Sequence, residues 1–532
     1  MQNMADRPAY PLMRLRAVFC GGLLIALLLL SCREQDVQTV PPRTLPNIIY
    51  ILADDLGYGD LGAYGQQYIE TPNLDRLARD GMLFTQHYAG APVCAPSRYM
   101  LLTGKHSGHA YIRGNDEWGD RGPVWDYRAM ARDSTLEGQR PLPPGEVLLP
   151  HRLKSAGYRT GMFGKWGLGA PHTASIPTRM GFDVFYGYNC QRQAHTYYPL
   201  HLYENEHRVH LNNDTIPPHS GFALTGGKDD YGFFDQADYA PDHIFGALSR
   251  FVDQGGEAPF FAYWATPIPH VPLQAPEAWL RYYEEKFGPE APYVSGDGTG
   301  YFPQRSPRAA YAAMVSYLDQ QVGRLLDQLQ EKGLYENTLI LFSSDNGPSY
   351  AGGADPGWFA SAGPFRSEYG RGKGFVYEGG IRVPMIASWP GHIAPGTHTD
   401  HLSAQYDLVA TLAELTGFEG PAAGDGVSFL PTLLGEGQQA QHPYLLWAYP
   451  EYGGQLALRT ARWKYVQRGL NDPADNPGPE LYDLAADPVE EQNLADRYPD
   501  RVDSLKILLA REYEVPTTER FRLSEWESRD GD

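Results

Sequence analysis

Cysteine is scarce. The 532-residue chain has four, Cys20, Cys32, Cys94 and Cys190, and no two form a C-x-x-C pair. That spacing excludes a zinc ribbon and a disulfide-built scaffold. Basic charge is short as well, with 44 Lys and Arg against 64 Asp and Glu and a net charge of −20. A phosphate-reading surface needs the opposite balance, so nucleic acid is excluded as a partner. Long apolar runs are missing apart from Ala17–Leu30, which excludes a multi-spanning membrane protein. There is no internal repeat. What remains, with 42% apolar residues and 58 glycines, is a loop-rich globular chain long enough for more than one domain.

The single apolar run follows Arg7, Arg14 and Arg16 and is too short for a comfortable membrane span, so residues 1–31 read as an export signal. The run ends Leu29-Leu30-Ser31-Cys32, which resembles a bacterial lipobox. That resemblance implies an exported protein, periplasmic or at the cell surface, that meets the membrane only through a lipid on Cys32. Loss of residues 1–31 takes three Arg and one Asp and leaves a charge of −22. Residues 32–45 form a polar linker. Only Cys94 and Cys190 then remain inside the folded protein, where an exported chain could join them in one disulfide.

Asn47–Ala53 is a continuous apolar run, as expected of a strand buried on both faces. Asp54 and Asp55 stand at its end. Thr71-Pro72-Asn73 opens a helix that Gly81 stops. Further buried strands are predicted over 160–164, 259–265 and 338–342, and an amphipathic helix over 309–332, with Met314, Leu318, Val322, Leu325 and Leu329 on one face. Helix followed by buried strand specifies an α/β layered domain. In such sheets functional residues gather beyond the carboxyl ends of the strands, where Asp345-Asn346 falls after the strand 338–342 as Asp54-Asp55 does after the first. A helix is expected over 406–416 and a loop over 417–424. Shorter elements at 444–447, 455–459 and 463–467 and a helix near 501–512 follow. The predicted organisation is therefore a catalytic domain over 46–425 and a smaller α+β subdomain over 426–532.

Cys94-Ala-Pro-Ser-Arg-Tyr-Met-Leu-Leu-Thr-Gly104 carries the most information. Pro96 suits the first turn of a helix, so Cys94 lies at a helix N-terminus that favours an anion. The stretch resembles the C-x-P-S-R…L-T-G signature of type I sulfatases, in which a maturation enzyme oxidises the cysteine to formylglycine. Other motifs of that family follow in its usual order over roughly 46–500. The resemblance implies a large alkaline-phosphatase-like α/β domain, its mixed central sheet flanked by helices, with a smaller C-terminal α+β domain. It also argues against a disulfide at Cys94 and leaves Cys190 a buried free thiol.

The same resemblance assigns roles. Asp54, Asp55, Asp345, Asn346 and the modified Cys94 look like the family's metal ligands, a hard oxygen set that suits Ca2+ or Mg2+. Gly164-Lys165-Trp166-Gly167-Leu168-Gly169 resembles the family's G-K-W-H-L-G and makes Lys165 a sulfate ligand. Gly167 departs from that pattern, and His106, His109, His172 and His195 are the candidates to replace the missing imidazole. Pro267-Ile-Pro-His270-Val-Pro272 resembles the family's P-H-x-P segment, with His270 as general acid to the leaving oxygen. Arg371–Pro384 resembles K-x-x-x-x-E-G-G-x-R-x-P, so Lys373 bridges sulfate and leaving group while Glu378 and Arg382 are scaffold. Arg98 holds the hydrate and the ligand carboxylates.

The stretch Tyr186–His210 is dense in Tyr and His and reads as a glycan-facing loop or as a loop pinned to the body by its aromatics. His195, Glu451 and Gln455 are candidate substrate contacts, the last two on a turn after Trp447. Leu481-Tyr-Asp-Leu484, Asp487-Pro488 and Asn493-Leu494 resemble a structural C-terminal pattern. The expected activity is hydrolysis of sulfate esters, most of all O-sulfated saccharides. Two alternatives stand beside it: a phosphonate or phosphodiester hydrolase of the same superfamily, and a catalytically inactive glycan-binding lipoprotein.

Overall fold

The computed structural model describes residues 45–219, 229–294, 300–420 and 424–529. The expected export signal, Cys32 and all of the linker but Leu45 lie outside the described residues. Among the described residues no helix is long and apolar enough to cross a membrane.

From Pro46 onward the chain forms one compact unit around a ten-stranded sheet. Edge to edge, its strands are Thr397–Thr399, Met82–Phe84, Met385–Ser388, Thr338–Ser344, Asn47–Ala53, Phe260–Ala265, Arg159–Lys165, Val184–Tyr188, His201–Glu204 and His207–His210. The five from Thr338–Ser344 to Val184–Tyr188 run parallel. Met385–Ser388 is antiparallel to its neighbours on one side, and the His201–His210 hairpin is antiparallel on the other. The sheet is therefore mixed, with helices against it. Ile49, Ile51, Phe163, Trp264 and Ile340 share one core with the helix Pro307–Glu331. Ile48, Tyr50 and Leu52 on the opposite face are equally buried. Burial on both faces is why these strands read as unbroken apolar runs.

Register decides where the chemistry can sit. Ala53 pairs with Ser344, Leu52 with Ala265, and Gly164 with Ala265. The four strands thus end nearly level, and Asp54-Asp55, Asp345-Asn346, the 266–272 loop and Lys165 meet at one carboxyl edge. Gly164 is required there: at φ +119°, a Cβ would lie 1.9 Å from the Ala265 carbonyl oxygen.

A second, four-stranded antiparallel sheet follows in the order Leu445–Tyr449, Gln455–Arg459, Trp463–Arg468, Pro479–Asp483. One face holds the helix Pro499–Glu512 through Leu446, Leu456, Val502 and Leu505. The other face, Trp447, Ala457 and Val466, packs with Tyr88, Val93 and Tyr377. Trp447 is fully buried and its Nε1 donates to the Ala89 carbonyl at 2.9 Å. Glu378 accepts from Lys464 at 3.0 Å and Arg382 at 3.1 Å, a buried ion cluster that ties this sheet to the Lys373 segment.

The Tyr186–His210 stretch is not one loop. It contains most of the strand Val184–Tyr188, the strand His201–Glu204 and the edge strand His207–His210, with a short 3-10 turn, Gln191–His195, between the first two. Tyr186, Tyr188, Tyr197, Tyr198 and Tyr203 are buried, so these rings build the body and do not face a ligand. Short strands at a sheet edge carry too few residues for their alternation to be read.

His87 pairs at the two-residue strand His87–Tyr88 with Ser403–Ala404, its Nδ1 2.9 Å from Ser403 Oγ. Burial pushes its imidazole down to about 4. Between the ordinary value of ~6.5 and 4, the unfolded chain takes up a proton that the folded chain refuses, so this residue subtracts stability as pH falls through that window. His87→Gln is expected to flatten the fall of Tm between pH 6.5 and pH 4 relative to the native chain. Parallel Tm curves would show that His87 does not titrate this way.

Candidate active site

Cys94 opens a helix, Cys94–Thr103, buried along its whole length and closed by Gly104 in the left-handed conformation at φ 76°. Val93 precedes it in extended backbone, so the Cys94 side chain stands at the helix N-terminus, as the sequence predicts. Its thiol is buried and donates to Asp54 Oδ1 at 3.4 Å. Burial and then the Asp54 carboxylate push the thiol far above its usual range. Cys94 and Cys190 are both free and buried. Cys190 packs with Tyr127 and Met130, away from the catalytic groups.

The carboxylates lie within a tight net of cations. Arg98 donates through Nε and Nη2 to Asp345 Oδ2 at 3.0 and 2.8 Å, and its Nη2 lies 3.1 Å from Asp54 Oδ2. Its Nη1 donates to the Lys165 carbonyl at 2.6 Å. Lys165 Nζ reaches Asp54 Oδ2 at 2.6 Å, and Lys373 Nζ reaches Asp55 Oδ2 at 2.7 Å. Burial alone would raise the Asp54 carboxyl, but Lys165 and Arg98 outweigh it and hold it well below the usual carboxylate range. Asp345 is pushed up to about 6 by burial and by Asp54 beside it.

His270 Nδ1 sits 2.5 Å from the Val271 carbonyl, which fixes the tautomer with the proton on Nδ1 and leaves Nε2, 3.7 Å from Asp55 Oδ2, to exchange protons. Burial and then the Lys373 ammonium lower this imidazole to about 4. Tyr197 holds the loop from outside: its hydroxyl donates to the carbonyls of Pro267 at 2.6 Å and His270 at 2.7 Å.

These residues offer candidate ligands for a metal ion. Asp54, Asp55, Cys94 and His270 each offer an atom within 4.8 Å of the others. Asn346 supplies a second observation. Its Nδ2 donates to Asp55 Oδ1 at 2.8 Å, while its buried Oδ1 has no hydrogen-bond partner, the state expected of an amide oxygen placed as a metal ligand. Charge agrees. Three carboxylates (Asp54, Asp55, Asp345) face three permanent cations (Arg98, Lys165, Lys373). Two further positive charges would leave a positive surplus, which attracts an anionic ester.

A cavity of about 550 Å³ opens over Cys94, within the size range of small-ligand pockets. His195, His270, Lys373 and Glu451 line it. Gln455 does not; it is fully buried and its amide is spent on the Gly374 carbonyl at 2.7 Å and the Val376 N–H at 3.2 Å. It therefore shapes the Lys373 loop and does not line the cavity.

Of the four histidine candidates to replace the one missing at Gly167, only His195 lines this cavity. His172 is exposed and its Nε2 lies 2.7 Å from Ser134 Oγ. His106 and His109 stack on each other beside Asp425. His195 stacks on His270, centroids 5.3 Å apart at 7°, and its Nδ1 lies 2.8 Å from His219 Nε2. Gly167 itself has φ +72°, and a Cβ there would meet Gln191 Oε1 at 3.1 Å. The Gln191 side chain occupies the place a side chain at 167 would need.

Sequence reasoning passes over Asn115, Glu117, Trp125, Gln191, Tyr301, Tyr452 and Arg520, which line the same cavity. The first three lie in an irregular segment after the Cys94 helix, and only its density of Trp, Asp, Glu and Gly marks it out.

Residues 46–418 match the family model described as Sulfatase, and 368–512 match one described as N-sulphoglucosamine sulphohydrolase, C-terminal. Arylsulfatase A of Homo sapiens is 33% identical over 487 residues, spanning 84% of this chain and 83% of that protein. N-acetylgalactosamine-6-sulfatase of Rattus norvegicus is 32% identical over 450 residues, spanning 80% and 74%. Among solved structures, that of Ps i-CgsB superposes with a TM-score of 0.68 at 25% identity, covering 92% of this chain and 96% of that one. The same protein has been solved in complex with k-i-k-neocarrahexaose.

Proposed function

The chain belongs to the sulfatase family and is a sulfuric ester hydrolase, and we propose that its substrates are O-sulfated saccharides, cleaved at Cys94 after its conversion to formylglycine and beside a bound divalent cation, Ca2+ or Mg2+. The observation that carries this reading is the convergence on Cys94 of Asp54, Lys165, His270 and Lys373 from four separate segments. The relative named N-acetylgalactosamine-6-sulfatase and the structural neighbour solved with k-i-k-neocarrahexaose support a saccharide.

A formylglycine hydrate supplies an oxygen nucleophile and a second hydroxyl that lets sulfate depart, chemistry a thiol lacks. A divalent cation held by Asp54, Asp55, Asp345 and Asn346 supplies polarisation of the sulfate oxygens. The chain's own groups do the rest. Lys165 and Lys373, leaning on Asp54 and Asp55, offer N–H donors to the negative charge that gathers on the ester oxygens. His270 takes up a proton from solvent at its bare Nε2 and passes it to the departing sugar oxygen while Nδ1 stays tied to Val271. Arg98 keeps Asp54 and Asp345 apart and oriented. His195 takes the place of the imidazole absent at Gly167. His195→Ala is expected to lower kcat by about 10², with His109→Ala and His172→Ala unchanged; equal losses would overturn that assignment.

The test is sulfate release from a panel of regiochemically defined sulfated saccharides, set against matched phosphate and phosphonate esters. Release from saccharide sulfates is expected; faster cleavage of the phosphorus esters would favour a phosphonate or phosphodiester hydrolase. Chelation is expected to abolish release and to lower Tm by several degrees, since a ligand that binds only the folded state stabilises it; added Ca2+ or Mg2+ restores both. An unchanged Tm and full activity in chelator would exclude a resident cation.

We propose further that residues 1–31 direct export, that Cys32 carries a lipid, and that a formylglycine-generating enzyme is the maturation partner. Cys32→Ser is expected to release the protein from the membrane fraction into the soluble one. Retention of the variant in the membrane would refute the anchor.

A further inference from the structure

Resting on the saccharide reading above, we propose that Trp125 is the platform of a second saccharide subsite, so that the preferred substrate is an oligosaccharide with its sulfated unit over Cys94 and the adjoining unit stacked on the indole. Trp125 is 55% exposed, although a Trp side chain is normally well buried. It lines the cavity over Cys94 and also an adjoining cavity of about 510 Å³. The indole is thus the wall shared by the catalytic cavity and the space next to it, where the neighbouring unit of a chain would lie.

The ring is built in, not loose. The Arg192 guanidinium sits 5.5 Å from the indole centroid, and the His219 ring meets it edge-on at 6.3 Å. Arg192 is itself fully buried, paired with Glu117 and donating to the Leu136 carbonyl at 2.9 Å. The residues after Trp125 are anchored too. Asp126 caps the helix Tyr127–Arg132 by accepting from the Arg128 and Ala129 N–H groups at 2.9 and 3.0 Å, and the Tyr127 hydroxyl donates to the Arg192 carbonyl. An aromatic face fixed in this way binds without an ordering cost.

The surroundings suit sugar hydroxyls. Asn115 and Glu117 line the Cys94 side of the indole, and Asp126 and Arg128 line the other. A pyranose presents an apolar C–H face to a ring and hydroxyls to amide, carboxylate and guanidinium groups at its edge. Small aryl sulfates reach only Cys94 and gain nothing from this platform.

The test compares kcat/KM for sulfate release by the native chain, W125A and W125F on two pairs of probes and a control. The pairs are N-acetylgalactosamine 6-sulfate with a chondroitin 6-sulfate hexasaccharide, and galactose 4-sulfate with a κ-carrageenan hexasaccharide; the control is 4-nitrophenyl sulfate. For the pair it accepts, the native chain is expected to prefer the hexasaccharide. W125A is expected to lose about tenfold on that hexasaccharide, the worth of one stacking contact, with W125F retaining most of the rate. Monosaccharide and aryl rates stay unchanged, which also reports an intact catalytic site. An equal fall on all probes, or no fall on the hexasaccharide, overturns the subsite. If the native chain cleaves the aryl sulfate and none of the saccharides, the saccharide reading itself fails and the subsite falls with it.

Discussion

Cys94→Ala is expected to remove sulfate release almost entirely, a loss of about 10⁶ in kcat if it behaves like other nucleophile deletions, with the fold intact. The side chain contributes one buried sulfur and a single 3.4 Å contact with Asp54, so its removal costs about 1 kcal/mol of stability. Circular dichroism and a thermal melt separate the two effects. The unmodified thiol offers no substitute route: held neutral by burial and by Asp54, it lacks the thiolate that nucleophilic attack requires. A Cys94→Ala protein with substantial residual activity would mean that the attacking group lies elsewhere in the cavity.

Lys373→Ala is expected to lower kcat by about 10²–10³, the cost of losing one preorganised donor to developing negative charge. Lys373 is suited to a clean test because it lines the cavity and its side chain is 15% exposed, whereas Lys165 is fully buried against Asp54. Loss of Lys165 leaves a buried carboxylate short of a partner and costs about 3–5 kcal/mol of stability, so its activity loss mixes chemistry with unfolding. Lys373→Ala takes the close cation from the buried Asp55, which still accepts from Asn346 Nδ2 at 2.8 Å, so the melt is expected to fall as well and kcat is compared at a temperature where both proteins are folded. Lys373→Arg is expected to rescue poorly, since a planar guanidinium is not a point ammonium. A rise in KM alone, with kcat preserved, would contradict a role in charge stabilisation.

The central strands and the Asp54-Asp55 and Asp345-Asn346 pairs were legible because the same fact produces both signals. Strands buried on two faces are apolar throughout, so Asp54-Asp55 and Asp345-Asn346 stand out at their ends, and the pairing of Ala53 with Ser344 brings those ends together. The Cys94 helix was legible through Pro96, which suits its first turn. The edges were not. Met385–Ser388 and His201–Glu204 are four residues each, too short for a period, and the tyrosines of 186–203 gave a composition that fits a loop as well as a sheet edge. The cavity wall from Asn115 to Trp125 has no periodicity at all. It is held by Arg113, which donates to the Gly108 and Glu514 carbonyls at 2.7 Å, and by Arg121, which donates to the Thr135 carbonyl at 2.6 Å and the Gly138 carbonyl at 2.5 Å. Such side-chain bonds to distant carbonyls leave no trace in local sequence. Gln455 failed in the opposite sense: its place on the turn suggested a ligand contact, but its amide serves the Lys373 loop.

The mass of the tryptic peptide spanning residues 80–98, taken from native and fully active protein, tests the role of Cys94 most directly. The expected result is an aldehyde at position 94, captured by a hydrazide and absent when the protein is made without its maturation partner, with activity tracking the converted fraction. A free thiol at Cys94, alkylated in full in protein that still releases sulfate at the native rate, would contradict it.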